Sequence, residues 1–398
     1  MFRVSQYMRE LAQAEATGIY PSARRVSRSI PGQGMGPVVI WNLIRRCNLT
    51  CKHCYALSAD HDYPNELSTQ EVYAVMDDLK SFKVPVLILS GGEPLLRPDI
   101  FEISLRAKEM GFYVGLSTNG TLIDEQMANR IAKTGFDYVG ISLDGLRQTH
   151  DKFRRLDGAF DLSLAAVKML IARDVKVGLR YTMTALNDHD FAPLLNLMRE
   201  VGAQKFYFSH LNYAGRGNIH RAKDAHHYTT KEAVDLLFER AWEAAHKGLN
   251  EEYVTGNNDA DGPWLLHWAE NRFPQWTSHL RHRLVEWGGN SSGVNVANID
   301  NLGHVHPDTM WWHHDLGSVR ERLFSTIWND TSDSIMRGLK QQPRNIGGRC
   351  ATCKHFEICG GNTRVRAQQL SGNVWAEDPG CYLEDSEILE PWGMELKS

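Results

Sequence analysis

Cysteine carries the densest chemistry in this 398-residue chain, and its seven copies fall in two groups. Cys47, Cys51 and Cys54 stand inside RRCNLTCKHCYAL (45–57), and Cys350, Cys353, Cys359 and Cys381 follow a long cysteine-free interval. Thiolates are ligands for zinc and for iron–sulfur clusters, so each group reads as a metal site. The first group is one ligand short of tetrahedral closure. Three assignments are open: structural zinc completed by another Cys or His, buried thiols without metal, or an iron–sulfur cluster. Three thiolates on a [4Fe–4S] cubane leave one iron free for a small molecule, much as catalytic zinc keeps an open position.

The elements that must position these residues are legible from the apolar pattern. Strands are expected at VVIWNLI (38–44), PVLILS (85–90), YVGLST (113–118), YVGISL (138–143), KVGLRYTM (176–183) and KFYFSHL (205–211). Helices are expected between them: one starting at Ser68 with the capping box Ser68–Thr69–Gln70–Glu71, others near 99–110, 124–134, 158–173 and 188–201. Alternating strands and helices imply a parallel sheet covered by helices, an α/β fold. Six such units are too few for a closed eight-unit barrel and fit a partial (β/α)6 barrel. In such folds function gathers at the carboxyl ends of the strands. Here those ends carry RRCNLTC, SGGEP, STNG, SLDG and SHLNYAGRG. Residues 1–36 read as a short helix (SQYMRELAQA) plus a linker, 37–235 as the partial barrel, 236–300 as a helical connector, and 301–398 as a C-terminal domain holding the second cysteine group. The turn-rich GGNSSGVNVANIDNLGHVHP is expected to lead into a hairpin.

CxxxCxxC after a first strand resembles the radical S-adenosylmethionine (SAM) superfamily, in which the cosubstrate chelates the fourth iron. SGGEPLLRPD (90–99) stands where that family carries its glycine motif, with Gly91, Gly92 and Glu93 beside the methionine amino group. SLDGLRQTHDKFRR (142–155) is similar to relatives bearing an extra cluster domain, which places Ser142 and Arg154 on SAM. The planar, always-charged Arg fork suits its carboxylate. STNG (117–120) matches the ribose-contacting region, through Ser117 and Asn119, and His53 takes the place of an aromatic residue near adenine. The resemblance implies one-electron reduction of the sulfonium and hydrogen abstraction by a 5′-deoxyadenosyl radical.

The second group reads Cx2Cx5C with Cys381 beyond, and a zinc knuckle is its alternative. The resemblance is to SPASM or Twitch domains with auxiliary [4Fe–4S] clusters. The hairpin GHVHPDTMWWHHDLGSVRER (303–322) has Asp308 where that family has Cys, and Gly361, Asn362 and Thr363 bring no further cysteine, so one auxiliary cluster is expected. Whether Cys381 or a bound molecule completes it is open.

FYFSHLNYAGRGN, YVTGNNDADGP, GVNVANIDNLGHVHPDTMWWHH and CGGNTRVRAQQLSGN extend the resemblance to the NirJ family of heme d1 biosynthesis. That family removes two propionates from 12,18-didecarboxysiroheme and leaves oxo groups, with a donor such as flavodoxin or ferredoxin supplying electrons. Arg216, Arg364 and Arg366 could meet substrate carboxylates, and His210, His227, His313 or His314 the substrate iron. The commoner fate of each is an ordinary core or surface residue, and Trp311 and Trp312 could simply pack the hairpin onto the barrel.

Composition narrows the field further. A net charge of −4 argues against a general nucleic-acid binder. No run of ~18 apolar residues exists to span a membrane, and the N-terminus lacks an apolar signal segment, ARRVSRS (23–29) reading as a solvated linker. An odd cysteine count speaks against a disulfide framework, so a cytoplasmic protein is expected. Peptide-modifying relatives carry an N-terminal recognition domain for which little room precedes Val38.

Overall fold

The computed structural model describes residues 1–21 and 35–389. Most of the expected linker, residues 22–34, and the last residues of the chain lie outside that range.

One nine-stranded sheet organises the chain, in the order β7-β6-β5-β4-β3-β2-β1-β8-β9. Its strands are β1 Val38–Asn42, β2 Val86–Ser90, β3 Tyr113–Thr118, β4 Tyr138–Ser142, β5 Val177–Met183, β6 Lys205–His210, β7 Glu252–Gly256, β8 Val296–Ile299 and β9 Val305–His306. All pairings are parallel except β8 with β9. The expected strands β1–β6 are all present, and the turn-rich stretch forms the antiparallel β8–β9 pair, with Asn298 opposite His306. Residues 236–300, expected as a helical connector leading into the hairpin, also supply β7, so that β7 and β8 stand one at each end of the parallel run.

The two faces of this sheet differ sharply, because side chains alternate along a strand. Val39, Trp41, Leu87, Leu89, Val114, Leu116, Val139, Ile141, Val177, Leu179, Phe206 and Phe208 are fully buried. They belong to the main apolar core, which also takes in the buried faces of the helices between the strands. The alternate register carries Asn42, Gly115, Ser117, Tyr138, Gly140, Ser142, Gly178, Arg180, Lys205 and Tyr207. A sheet that were merely sandwiched between helices would be apolar on both faces. This one is a partial barrel whose inner face is polar along β4 to β6 and carries Ile40 and Ile88 on β1 and β2.

Local signals set the helix ends. Helix Thr69–Ser81 opens on the expected capping box: Glu71 N–H donates to Ser68 Oγ at 3.3 Å, and Ser68 N–H donates to Glu71 Oε2 at 2.8 Å. Such a cap stabilises a helix by about 1 kcal/mol. Helix Glu125–Thr134 closes on Gly135 in the left-handed conformation (φ 71°), where glycine has no Cβ penalty. At the N-terminal end of the lumen, Lys176 and Lys205 flank Glu252 at 3.1 and 3.5 Å, which fills that end with paired charge. Among the described residues no helix is long and apolar enough to cross a membrane.

Candidate functional site

The loop after β1 carries Cys47, Cys51 and Cys54, and two other strand ends dock onto its backbone. After β2, Gly92 N–H donates to Ile44 O at 2.7 Å and Glu93 N–H to Arg46 O at 2.9 Å. A Cβ on Gly91 would lie 2.3 Å from Ile44 O, and one on Gly92 2.3 Å from Arg45 O and Arg46 O. The glycines are therefore required by the close approach of the cysteine loop itself. After β6, Arg216 N–H donates to Cys54 O at 2.9 Å, its Nε to Cys51 O at 2.7 Å and its Nη2 to Ser58 O at 3.0 Å. Gly215 (φ 53°) has no room for a Cβ, which would sit 2.3 Å from Tyr55 O. Arg216 thus caps loop carbonyls.

The sulfurs face hydrogen-bond donors, as cluster thiolates do. Leu49 N–H points at Cys47 Sγ (3.4 Å), Asn119 Nδ2 at the same sulfur (3.9 Å), and Arg154 Nη1 at Cys51 Sγ (3.6 Å). Burial pushes the thiols of Cys47 and Cys51 above their ordinary range, a cost that metal ligation would remove. Arg154 pairs with the fully buried Asp144, whose carboxylate also takes Thr182 N–H at 2.7 Å. Burial opposes ionisation of Asp144, but the Arg154 charge together with the Thr182 N–H and the neighbouring imidazoles outweighs it and holds the carboxyl below the usual range. His53 stacks on Phe153 at 4.8 Å, with Nε2 3.8 Å from Asp144 Oδ2; desolvation pushes its pKa down to about 4. Arg154 Nε and His53 Nδ1 are buried with no protein partner among the described residues. Orphan polar atoms of this kind are costly unless a ligand pairs with them. The donor set therefore fits a cluster with a small acceptor-rich ligand beside it.

Glu93 is fully buried and accepts from Leu95 N–H (3.1 Å), Thr118 Oγ1 (2.7 Å) and Asn119 N–H (2.8 Å), tying the ends of β2 and β3 together. Its carboxylate contacts protein, so it positions Asn119. Ser117 and Ser142 lie on the inner face. Ser142 pairs in register with Arg180, and Arg180 Nη1 donates to Ser117 Oγ. Arg180 is the functional candidate that sequence reasoning passed over; the signal was a lone cation inside VGLRYTM.

The second group also assembles. Cys350, Cys353, Cys359 and Cys381 line one cavity with Ala260, Phe356 and Leu383 among its walls. His355 N–H points at Cys353 Sγ and Gly361 N–H at Cys359 Sγ, both at 3.4 Å. Desolvation pushes Cys381 up to about 11. Among the described residues no trio of His, Cys, Asp or Glu side chains is placed to hold a single metal ion. A cubane takes one thiolate per iron, which spreads its ligands more widely than a tetrahedral ion does.

Other expectations resolve as packing. Arg364 donates to the Val374, Ala376 and Gly361 carbonyls. Arg366 makes a two-pronged pair with Asp378 (2.9 and 2.8 Å) and donates to Leu211 O and Asn257 O. His210 is 3.1 Å from Asp261 and His314 3.1 Å from Asp333, while His227 and His313 face Pro379 O and Gln368. Asp308 accepts from Ser292 Oγ (2.6 Å) and Met310 N–H (2.9 Å). Trp311 is buried against Leu339, Val365 and Val374. Trp312 instead reaches the cysteine loop, edge-on to Tyr55 at 5.9 Å and 5.7 Å from the Arg45 guanidinium.

Comparison with known proteins agrees with this geometry. The Radical SAM superfamily matches residues 41–198. Pre-heme d1 synthase of Dinoroseobacter shibae is 50% identical over 389 residues, 97% of this chain and 93% of that protein. Fe-coproporphyrin III synthase of Methanosarcina barkeri is 44% identical over 88% of this chain and 89% of that protein. In fold, SAM-bound SuiB of Streptococcus suis superposes with a TM-score of 0.69 at 15% identity, covering 95% of this chain and 81% of SuiB. The chain is a radical SAM enzyme, a family that works with a [4Fe–4S] cluster and SAM, and within that superfamily it belongs with the pre-heme d1 synthase.

Proposed function

We propose that this enzyme of tetrapyrrole biosynthesis acts as a pre-heme d1 synthase, removing two propionate side chains from 12,18-didecarboxysiroheme and leaving oxo groups. The observation that carries this reading is the 50% identity to pre-heme d1 synthase across 97% of the chain. Cys47, Cys51 and Cys54 would hold the catalytic cluster. His53, Gly91, Gly92, Ser117, Asn119, Ser142 and Arg154 surround the place for SAM, with Glu93 positioning Asn119. The bound pair supplies one electron to the sulfonium and a carbon radical that takes a hydrogen atom from a propionate carbon, next to the bond that must break.

The chain's own work is orientation and exclusion. The Arg154–Asp144 pair fixes a guanidinium beside Cys51, leaving Nε free to donate to a carboxylate. Partly buried Tyr55, its hydroxyl accepting from Asn42 Nδ2 at 2.8 Å, and Trp312 shield the loop from water. Cys350, Cys353, Cys359 and Cys381 would hold an auxiliary [4Fe–4S] cluster that stores an electron for later steps, and a flavodoxin or ferredoxin would recharge the system.

Anaerobic incubation with SAM, a reductant and 12,18-didecarboxysiroheme, followed by mass analysis of the tetrapyrrole, tests the reading. Loss of two propionate substituents with gain of oxygen is expected. Unchanged substrate, or loss of carbon dioxide alone, would overturn it.

A further inference from the structure

Among the described residues, Arg180 is an inner-face cation of the sheet with no carboxylate within ion-pair distance. Around the rim and floor of the lumen, Arg154 pairs with Asp144, Lys176 and Lys205 share Glu252, and Arg366 pairs with Asp378. Arg216 and Arg364 are taken up by backbone carbonyls. Arg180, at the middle of β5, is different. Its Nη1 donates to Ser117 Oγ, and its guanidinium carbon lies 5.1 Å from the Tyr207 ring centroid. Among the described residues it has no carboxylate partner. Its Nε and Nη2 have no protein acceptor there either, and they are not among the buried orphans. These two atoms form the side edge of the guanidinium fork, the edge that takes a carboxylate with two parallel hydrogen bonds.

The seat around Arg180 is built at a cost to the sheet. A Cβ on Gly140 would lie 2.7 Å from Arg180 Cδ, one on Gly178 2.5 Å from Tyr138 Oη, and one on Gly256 2.1 Å from Tyr207 Oη. Glycine inside a strand weakens it, yet β4, β5 and β7 each carry one so that Tyr138, Arg180 and Tyr207 can lie across the inner face. The fork reaches Ser117, which pairs with Gly140, one step below the Ser142 level towards the strand N-termini. It is therefore set deeper than Arg154, the guanidinium beside the cysteine loop. The Lys176–Glu252–Lys205 cluster fills the far end of the lumen. An anion entering from the cysteine rim meets Arg180 before that floor.

We propose that Arg180 binds a substrate carboxylate in the lumen and so sets specificity for a carboxylate-bearing planar substrate. This rests on the tetrapyrrole reading above. A lumen of low dielectric holding an uncompensated, preorganised cation favours a polyacid and disfavours a neutral analogue. Arg180 orients the macrocycle by one propionate and leaves the others near the cysteine rim.

The test uses anaerobically reconstituted holoenzyme, wild type against Arg180→Gln and Arg180→Lys. Binding of 12,18-didecarboxysiroheme is followed by its absorbance, and SAM binding is measured in parallel. Removing a bidentate charged contact is expected to weaken tetrapyrrole binding on the order of 10- to 100-fold, about 1.4 to 2.8 kcal/mol. SAM affinity should fall by less than tetrapyrrole affinity does. Arg180→Lys, which keeps charge but loses the fork, should recover only part of the binding; where Arg180→Gln fails to retain iron, it is read instead. Tetrapyrrole binding weakened less than tenfold would overturn the assignment. So would an equal loss of SAM affinity, which would place the cosubstrate's carboxylate on Arg180. Wild-type holoenzyme that does not bind the tetrapyrrole would overturn the parent reading, and this one with it.

Discussion

The two cysteine groups are held in opposite ways. The loop at 47–54 has almost no regular structure of its own, and its shape comes from outside: Gly92, Glu93, Gly215 and Arg216, on the ends of β2 and β6, bind or crowd its carbonyls. It keeps buried polar atoms without partners among the described residues, Arg154 Nε and His53 Nδ1. The group at 350–381 closes a cavity with four cysteines, and the arginines near it, Arg364 and Arg366, are saturated by carbonyls and Asp378. Unmet hydrogen-bonding capacity marks the place built to receive a ligand; a nearly satisfied shell, in which His355 Nδ1 is the buried lining atom without a partner among the described residues, marks one built to hold its contents.

Substitutions can break that contrast in a graded way. The largest effect is expected from Cys54→Ala, which should abolish SAM cleavage, measured as 5′-deoxyadenosine release under anaerobic reduction. Cys353→Ala should leave 5′-deoxyadenosine release largely intact and stop tetrapyrrole product formation; equal loss of both would give the second group a purely structural role. Gly92→Ala drives a methyl group into Arg45 O and Arg46 O. It should destabilise the protein by about 1 to 3 kcal/mol and lower the iron retained by the first group, read by thermal melting and iron analysis. His314→Gln should be nearly silent, at most about 1 kcal/mol on melting, since its partner is the half-exposed Asp333. A large loss of tetrapyrrole binding in that variant would restore His314 as a ligand to the substrate iron.

The same contrast explains what could be read from residues alone. Strands β1 to β6 are legible because each carries convex-face residues such as Val39, Leu87, Val139 and Phe206 in a short apolar run closed by a turn. Strands β7 and β8 are hidden, the first as the five residues EYVTG after a long helix, the second as VANI inside a Gly- and Asn-rich stretch. Helix Arg147–Arg154 is masked by its polarity, since only His150, Phe153 and Arg154 are buried in it. The cysteine spacing and GGEP point to the right rim, but not to the reason for Gly91 and Gly92, which is a neighbouring loop brought close by the fold. Arg216, Arg364 and Arg366 look like anion binders in sequence because capping of a distant carbonyl leaves no local trace. Arg180 leaves one, a cation in a strand whose other faces are apolar.

The central claim is that the first cysteine group holds a cluster with one iron left for SAM. Electron paramagnetic resonance of reduced, reconstituted Cys353→Ala enzyme, recorded with and without SAM, tests it most directly. A cluster spectrum that changes on adding SAM is predicted. A spectrum indifferent to SAM, or metal analysis showing zinc in place of iron, would contradict the account.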